Sequence, residues 1–267
     1  MPGAKGKQRN ARVARFHYAG DITTGTQLEM DKNASHHLGT VLRSNVGDAV
    51  ILFNGNGNDY HATVIETGQR GTGKRCVLQI DTCIPGVPDS PLAITLVQCV
   101  SRPERMDISI RQAVELGVAR IQPVYSRHSI KVTDEKRALK KRQHWQSIVT
   151  NACEQSGRAA LPELLEPVSY SRWARQPKET DNVHFVLSPE ASCSLTASIR
   201  DLSAVKPVNK ASLIIGPESG LDTDEINDAI ESGAVAVHLG RRILRTETAG
   251  PACIVLLQSI LGDLNVC

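Results

Sequence analysis

At 267 residues the chain has room for one large domain or, at about 100–200 residues each, for two. Hydrophobic residues at 40% and charged residues at 22% exclude wholesale disorder and collagen-like repetition, and no apolar run approaches the ~20 residues of a membrane span. The net charge of +3 is unevenly placed: residues 1–83 hold ten Lys or Arg against seven Asp or Glu, and residues 84–267 hold twenty-one of each.

The excess begins at the N-terminus, where Lys5, Lys7, Arg9, Arg12 and Arg15 precede the first acid, Asp21. No apolar stretch follows them, so they do not read as a secretory signal. Such an arm can neutralise phosphates and release counterions, or it can be a solvated tail. Residues 15–83 then read as short strands. Ala49–Phe53 and Tyr60–Ile65 flank the Asn54–Asn58 turn signal, and a Gly-rich turn over Gly68–Gly73 leads into Val77–Ile80. That spacing predicts a small β-barrel. Ala34–Arg43 predicts a helical turn carrying His36 and His37, whose side chains diverge and so do not form a metal site. The Pro- and Gly-rich stretch Ile84–Pro91 marks a boundary.

Beyond Pro91 strands and helices alternate. Leu92–Val100 is a nearly continuous aliphatic run, as expected of a strand covered on both faces. Arg105–Leu116 has helical spacing and is stopped by Gly117; Ile121–Tyr125 is the next strand. A long helix follows over about Asp134–Ser156, with Trp145, Ile148, Val149 and Ala152 as its apolar stripe. Its cluster Lys136, Arg137, Lys140, Lys141 and Arg142 reads as an exposed face. Val183–Leu187, Ala211–Ile215 and Ala234–Leu239 are further strands. Asp222 and Glu225 form a capping box for the helix after Ile215, and the last helix starts near Thr246 and runs to Leu261. Parallel strands joined by helices are the economical reading. The seven cysteines are scattered and include no CxxC pair, so neither a zinc site nor a disulfide framework is expected, and a reducing cytoplasm is the simplest compartment.

Open parallel sheets bind ligands beyond the carboxyl ends of their strands. Three such ends carry unusual loops: Leu187-Ser188-Pro189-Glu190, Gly216-Pro217-Glu218-Ser219-Gly220 and Gly240-Arg241-Arg242-Ile243-Leu244-Arg245. None is a dinucleotide fingerprint or a P-loop. Gly-rich backbone without a phosphate pattern suits a ligand whose adenosine is held by peptide groups.

The segments Leu213–Leu221 and Leu239–Ala249 resemble the signature of the RsmE family, SPOUT-class methyltransferases that modify N3 of a uridine in small-subunit (16S) ribosomal RNA. Arg105-Met106-Asp107, Glu115–Val118, Glu154–Arg158, Arg15–Tyr18, His36-His37-Leu38, Val41-Leu42-Arg43 and Gly47-Asp48 match the same pattern, and the resemblance spans about residues 12–262. Ser219 stands where the family commonly has a second glycine, and Leu221 where it commonly has phenylalanine. A serine at 219 needs an unstrained φ.

The resemblance implies a basic arm over 1–14, a PUA-like β-barrel over 15–83 that helps hold RNA, a linker over 84–91, and a SPOUT α/β domain over 92–267 whose last helix threads a trefoil knot. It implies a homodimer that binds S-adenosylmethionine and needs neither metal nor membrane. By position, Leu187, Ser188, Pro189, Glu190, Ile215, Gly216, Pro217, Glu218, Gly220, Leu239, Gly240, Ile243, Leu244, Arg245 and Thr248 surround the cofactor. Arg245 is the candidate for stabilising the uridinate anion, or it bonds loop carbonyls. Glu154 and Arg158, four apart, line the RNA cleft or form a surface ion pair. Glu218 accepts a proton or bonds backbone amides. Arg43, Arg102 and Arg105 join the arm as RNA contacts, arginine being suited to phosphate. A non-catalytic ribosome-assembly protein and a SPOUT enzyme acting on another base are the competing readings.

Overall fold

The computed structural model describes residues 13–68, 75–130, 134–176 and 179–265. Lys5, Lys7, Arg9 and Arg12 of the basic arm lie outside the described residues, as does most of the Gly68–Gly73 turn. Two compact units are present. One runs to Val87 and takes in Gly157–Ala160; the other comprises Pro88–Ser156 and Leu161–Cys267.

The first unit is a five-stranded sheet of β1 (Ala14–His17), β2 (Gln27–Glu29), β3 (Ala49–Phe53), β4 (Asn58–Glu66) and β5 (Val77–Pro85), in the order β1-β3-β4-β5-β2. Only β1 and β3 are parallel. The β3–β4 turn is held by Asn54 Oδ1, which accepts from the Asn56 N–H, and Asn56 Oδ1, which accepts from that of Asn58, as Asx turns do. Helix α1 (Lys32–His36) starts on Asp31, whose carboxylate accepts two backbone N–H bonds, and continues as a π-helical turn over His37–Val41. Phe16, Met30, Leu38, Leu52, Val64, Leu78 and Ile80 form the core.

This unit departs from expectation at both ends. Ala14 belongs to β1 rather than to an arm, and β5 continues to Pro85, past residue 83, because Ile84 and Pro85 pair with Asp59 and Asn58. A distant segment also returns to it, with Arg158 bridging Val87 and Ala159 against Gly86.

Arg15 is corrected from an RNA contact to a structural residue. Its guanidinium makes a two-pronged pair with Asp59 at 2.6 and 2.9 Å, donates to the Arg158 carbonyl at 3.4 Å and stands 5.2 Å over the Phe53 ring. Only 8% of the side chain is exposed, so burial and the Asp59 pair leave little of the guanidinium open to a phosphate.

The second unit is a sheet in which every pairing is parallel. Its strands are β6 (Ala93–Cys99), β7 (Arg120–Tyr125), β8 (Glu163–Leu164), β9 (Val168–Ser169), β10 (Asn182–Leu187), β11 (Lys210–Ile215) and β12 (Val235–Val237), in the order β12-β10-β11-β6-β7-β8, with β9 also on β7. Helices α2 (Pro103–Glu115), α3 (Glu135–Ser156), α5 (Leu195–Val205) and α7 (Thr246–Leu261) pack together, α7 lying on β6 and β11. Helices α4 (Tyr170–Ala174) and α6 (Thr223–Glu231) pack on β7, β10 and β12. Burial on both faces explains the continuous aliphatic runs. The capping box on α6 forms as expected, and Pro103 opens α2 at a position where its missing N–H costs nothing. Helix α5 has no counterpart among the predicted elements.

Candidate functional site

The carboxyl ends of β10, β11 and β12 converge on one cavity of about 400 Å³, within the ~300–1,000 Å³ usual for small-molecule sites. Each expected loop supplies a wall.

The first wall is Leu187, Ser188, Pro189 and Glu190. Its shape is fixed by the Ser188 N–H, which donates to the Val237 carbonyl at 2.9 Å, and by Ser188 Oγ, which accepts from the Glu190 N–H at 3.3 Å. The second wall is Ile215 through Leu221. The Gly220 N–H closes a turn onto the Pro217 carbonyl at 3.0 Å. The left-handed residue of that turn is Gly220, at φ +80°, while Ser219 has no positive φ, so serine is accommodated without strain. Gly216 has a separate reason. A Cβ there would stand 2.9 Å from the Leu221 nitrogen and 3.1 Å from the Gly220 carbonyl carbon, so the loop can fold back on itself only around a glycine.

The third wall is Leu239, Gly240, Ile243 and Leu244, with Arg242 among them. Arg245 and Thr248 are not lining residues; both are exposed at the start of α7. The physical reason is helical. Arg245 is the N-cap of α7, and the neighbours facing the cavity are Thr246 and Ala249, three apart on one face. Of the arginines in this loop, Arg242 is the one that lines the cavity. Thr246 is 4% exposed and its Oγ1 donates to the Gly216 carbonyl at 2.7 Å, joining α7 to the second wall.

Thr223, Ile226 and His238 also line the cavity and were not expected. The α6 residues follow from the capping box, which starts that helix beside the second wall. His238 Nδ1 accepts the Gly240 N–H at 2.9 Å and so pins the third loop; its place just before Leu239 is the only trace it leaves in the sequence.

Glu218 is engaged in a way the sequence leaves open. Its Oε1 accepts the Arg102 N–H at 3.0 Å, and the Arg105 guanidinium stands 3.8 Å from Glu218 and 4.0 Å from Glu247. Arg105 is thus turned toward two carboxylates, whereas the Arg102 side chain is exposed. Arg43 is exposed too, with its backbone in the left-handed region at φ +56°. It ends the π-helical turn, where the Ser44 N–H reaches back to the Leu38 carbonyl at 3.0 Å.

Glu154 and Arg158 do not share a helix face: α3 ends at Ser156, Gly157 turns the chain at φ +90°, and Arg158 forms a β-bridge with Val87; neither residue lines the cavity.

The walls combine Leu187, Ile215, Leu239 and Leu244 with glycine-rich backbone, and include Glu190, Glu218 and Arg242. An aliphatic slot edged by backbone suits a nucleoside, and carboxylates at its rim suit a cationic one. The residues present therefore fit S-adenosylmethionine. Among the described residues no group of three His, Cys, Asp or Glu side chains could hold a metal ion, and no helix is long and apolar enough to cross a membrane.

Two family descriptions match the sequence: an RNA methyltransferase domain over residues 88–258 and an RNA methyltransferase PUA domain over residues 31–71. A protein named ribosomal RNA small subunit methyltransferase E from Buchnera aphidicola of Schizaphis graminum is 32% identical over 95% of this chain and 99% of its own length. One of the same name from Mycobacterium bovis is 29% identical over 91% and 90%. Among solved structures, a Legionella pneumophila protein in complex with SAM superposes with a TM-score of 0.85 at 34% identity, covering 95% of this chain and all of that one. A ribosomal RNA small subunit methyltransferase E from Neisseria gonorrhoeae, bound to S-adenosyl methionine, gives 0.83 at 33%, covering 94% and 99%.

Proposed function

This chain belongs to the ribosomal RNA small subunit methyltransferase E family, and from that premise we propose that it methylates N3 of a uridine in 16S ribosomal RNA with S-adenosylmethionine. The observation that carries the reading is the convergence of three strand-end loops on one aliphatic, backbone-edged cavity.

When bound, the cofactor supplies a methyl group already activated on a positive sulfonium. The chain supplies position and charge. Leu187, Ile215, Leu239 and Leu244 would pack against the adenosine while the peptide groups of the second and third loops would bond it. Uridine N3 is an imide that bears a proton and becomes nucleophilic only as that proton leaves for solvent. The negative charge then spreads over O2 and O4, and Arg242, on the cavity wall, is the group that stabilises it, in place of Arg245. The three loops would hold the cofactor so that its methyl group is presented to N3. A uridine that is paired or stacked must first be turned out of the helix.

The PUA-family barrel holds RNA through exposed cations such as Arg43, with Arg102 and the Lys5, Lys7, Arg9 and Arg12 arm adding phosphate contacts. Arg105 serves the loops rather than the RNA. Motif resemblance further supports a SPOUT sheet unit with a trefoil knot, a homodimer and a cytoplasmic setting.

Incubation with methyl-labelled cofactor and unmethylated small ribosomal subunits tests the function. Label at N3 of one 16S uridine is the expected result. Binding of subunits without transfer would favour an assembly protein, and label on another base would favour a different SPOUT activity.

A further inference from the structure

Gln98 is the one glutamine of β6 and is fully buried in a strand otherwise nearly all aliphatic. It sits beside Ile215 in the sheet register, at the strand end beneath the cavity, on the face covered by α7, where Gly250 leaves room for its amide. The amide uses both donors: Nε2 reaches Thr246 Oγ1 at 3.0 Å and the Cys99 carbonyl at 3.1 Å. The Cys99 oxygen can only accept, so the amide cannot be turned over. Thr246 Oγ1, already accepting from Gln98, must spend its own hydrogen on the Gly216 carbonyl at 2.7 Å. The chain of bonds has one direction, from Gln98 through Thr246 to Gly216.

We infer that Gln98 is a positioning residue for the cofactor. It does not line the cavity, yet it orients the hydroxyl that turns the Gly216 carbonyl inward and locks the second loop to the first residue of α7. The observation that separates this from plain packing is that Gln98 Oε1 is buried with no hydrogen-bond partner. An orphaned acceptor is destabilising, and a core chosen for stability would hold an aliphatic side chain here. What the amide contributes in return is its two donated bonds. The inference rests on the methyltransferase reading for the ligand's identity, but not for the geometry of the loops.

Gln98→Met removes the donors at similar volume, Thr246→Val removes the hydroxyl, and Thr246→Ser keeps it. Titration calorimetry with S-adenosylmethionine should give about tenfold weaker binding for Gln98→Met and for Thr246→Val. The double variant should be no weaker than either, since all three break one chain of bonds. Thr246→Ser should bind like wild type, and the thermal midpoint of Gln98→Met should be unchanged or raised. Amide exchange in the cofactor-free protein gives an independent reading: Gly220 and Ala249 N–H groups should exchange faster in Gln98→Met. Wild-type affinity in Gln98→Met, losses that multiply in the double variant, or unchanged exchange at Gly220 and Ala249 would each overturn the inference. Should Gln98→Met fail to fold, Gln98→Leu, which also removes the amide donors, is read by the same calorimetry and exchange measurements. A wild-type protein that binds no cofactor would instead remove the functional reading, with the exchange experiment still deciding the role of Gln98.

Discussion

The five-stranded sheet of the first unit and the parallel sheet of the second dispose of their polar residues in opposite ways. From Tyr60 to Ile65 strand β4 alternates between buried and half-buried positions, so every second side chain faces toward solvent. Charges beside it are taken for structure, as Arg15 is by Asp59. In the sheet unit both faces of β6, β10 and β11 are covered, and side chains with chemistry are pushed to the strand ends. Adjacent parallel strands end on the same side, so three loops remote in sequence meet in one cavity. A sheet buried on both faces concentrates a site, and a half-buried one disperses it.

That contrast can be broken most severely at Gly216. Gly216→Val places a side chain where even a Cβ meets backbone, so cofactor binding should be lost by calorimetry while the protein keeps its fold by circular dichroism. Retained binding would show that the second loop has slack. In the first unit the comparable lesion is structural. Arg15→Ala leaves Asp59 buried without its partner, a change that typically costs about 3–5 kcal/mol, and denaturant unfolding should show it. The RNA affinity of the folded fraction should not change; a fall with unaltered stability would return Arg15 to the RNA surface.

Between the two loop arginines the expected order is the reverse of the one drawn from sequence. Arg242→Ala should lower single-turnover methyl transfer by about 10²-fold, the scale for losing one donor to a developing anion, while Arg245→Ala should stay near wild type. The smallest effect sharpens the side of the first unit. Arg43 occupies a left-handed conformation that glycine adopts freely, so Arg43→Gly should stabilise by about 0.5–1 kcal/mol and weaken RNA binding, with a shallower salt dependence. Equal RNA affinity would leave Arg43 as a strained cap without a partner.

Much of this was legible in one dimension. The Asn-rich turn, the α6 capping box and the aliphatic runs of β6 and β11 are local patterns, and local patterns fix elements. Arg158 was misplaced on a helix because the helical period continues through Gly157 in sequence but not in space. The short β8 and β9 hold too few residues to show a period at all. Arg245 and Arg242 look interchangeable in Arg241-Arg242-Ile243-Leu244-Arg245, and only the folded loop and the start of α7 decide that Arg242 lines the cavity while Arg245 caps the helix outside it.

The sequence alone determined the strand–helix alternation, the three loops with their glycines, and the resemblance that leads to a methyl-transfer reading, because each depends on neighbours within a few residues. Tertiary structure decided which charges are spent on structure and which remain for ligands. Asp59 claims Arg15 from 44 residues away, Glu218 claims Arg105, and Thr246 reaches Gly216 across 30. Such partnerships form between side chains brought together by sheet order and helix phase, and spacing along the chain carries no record of them.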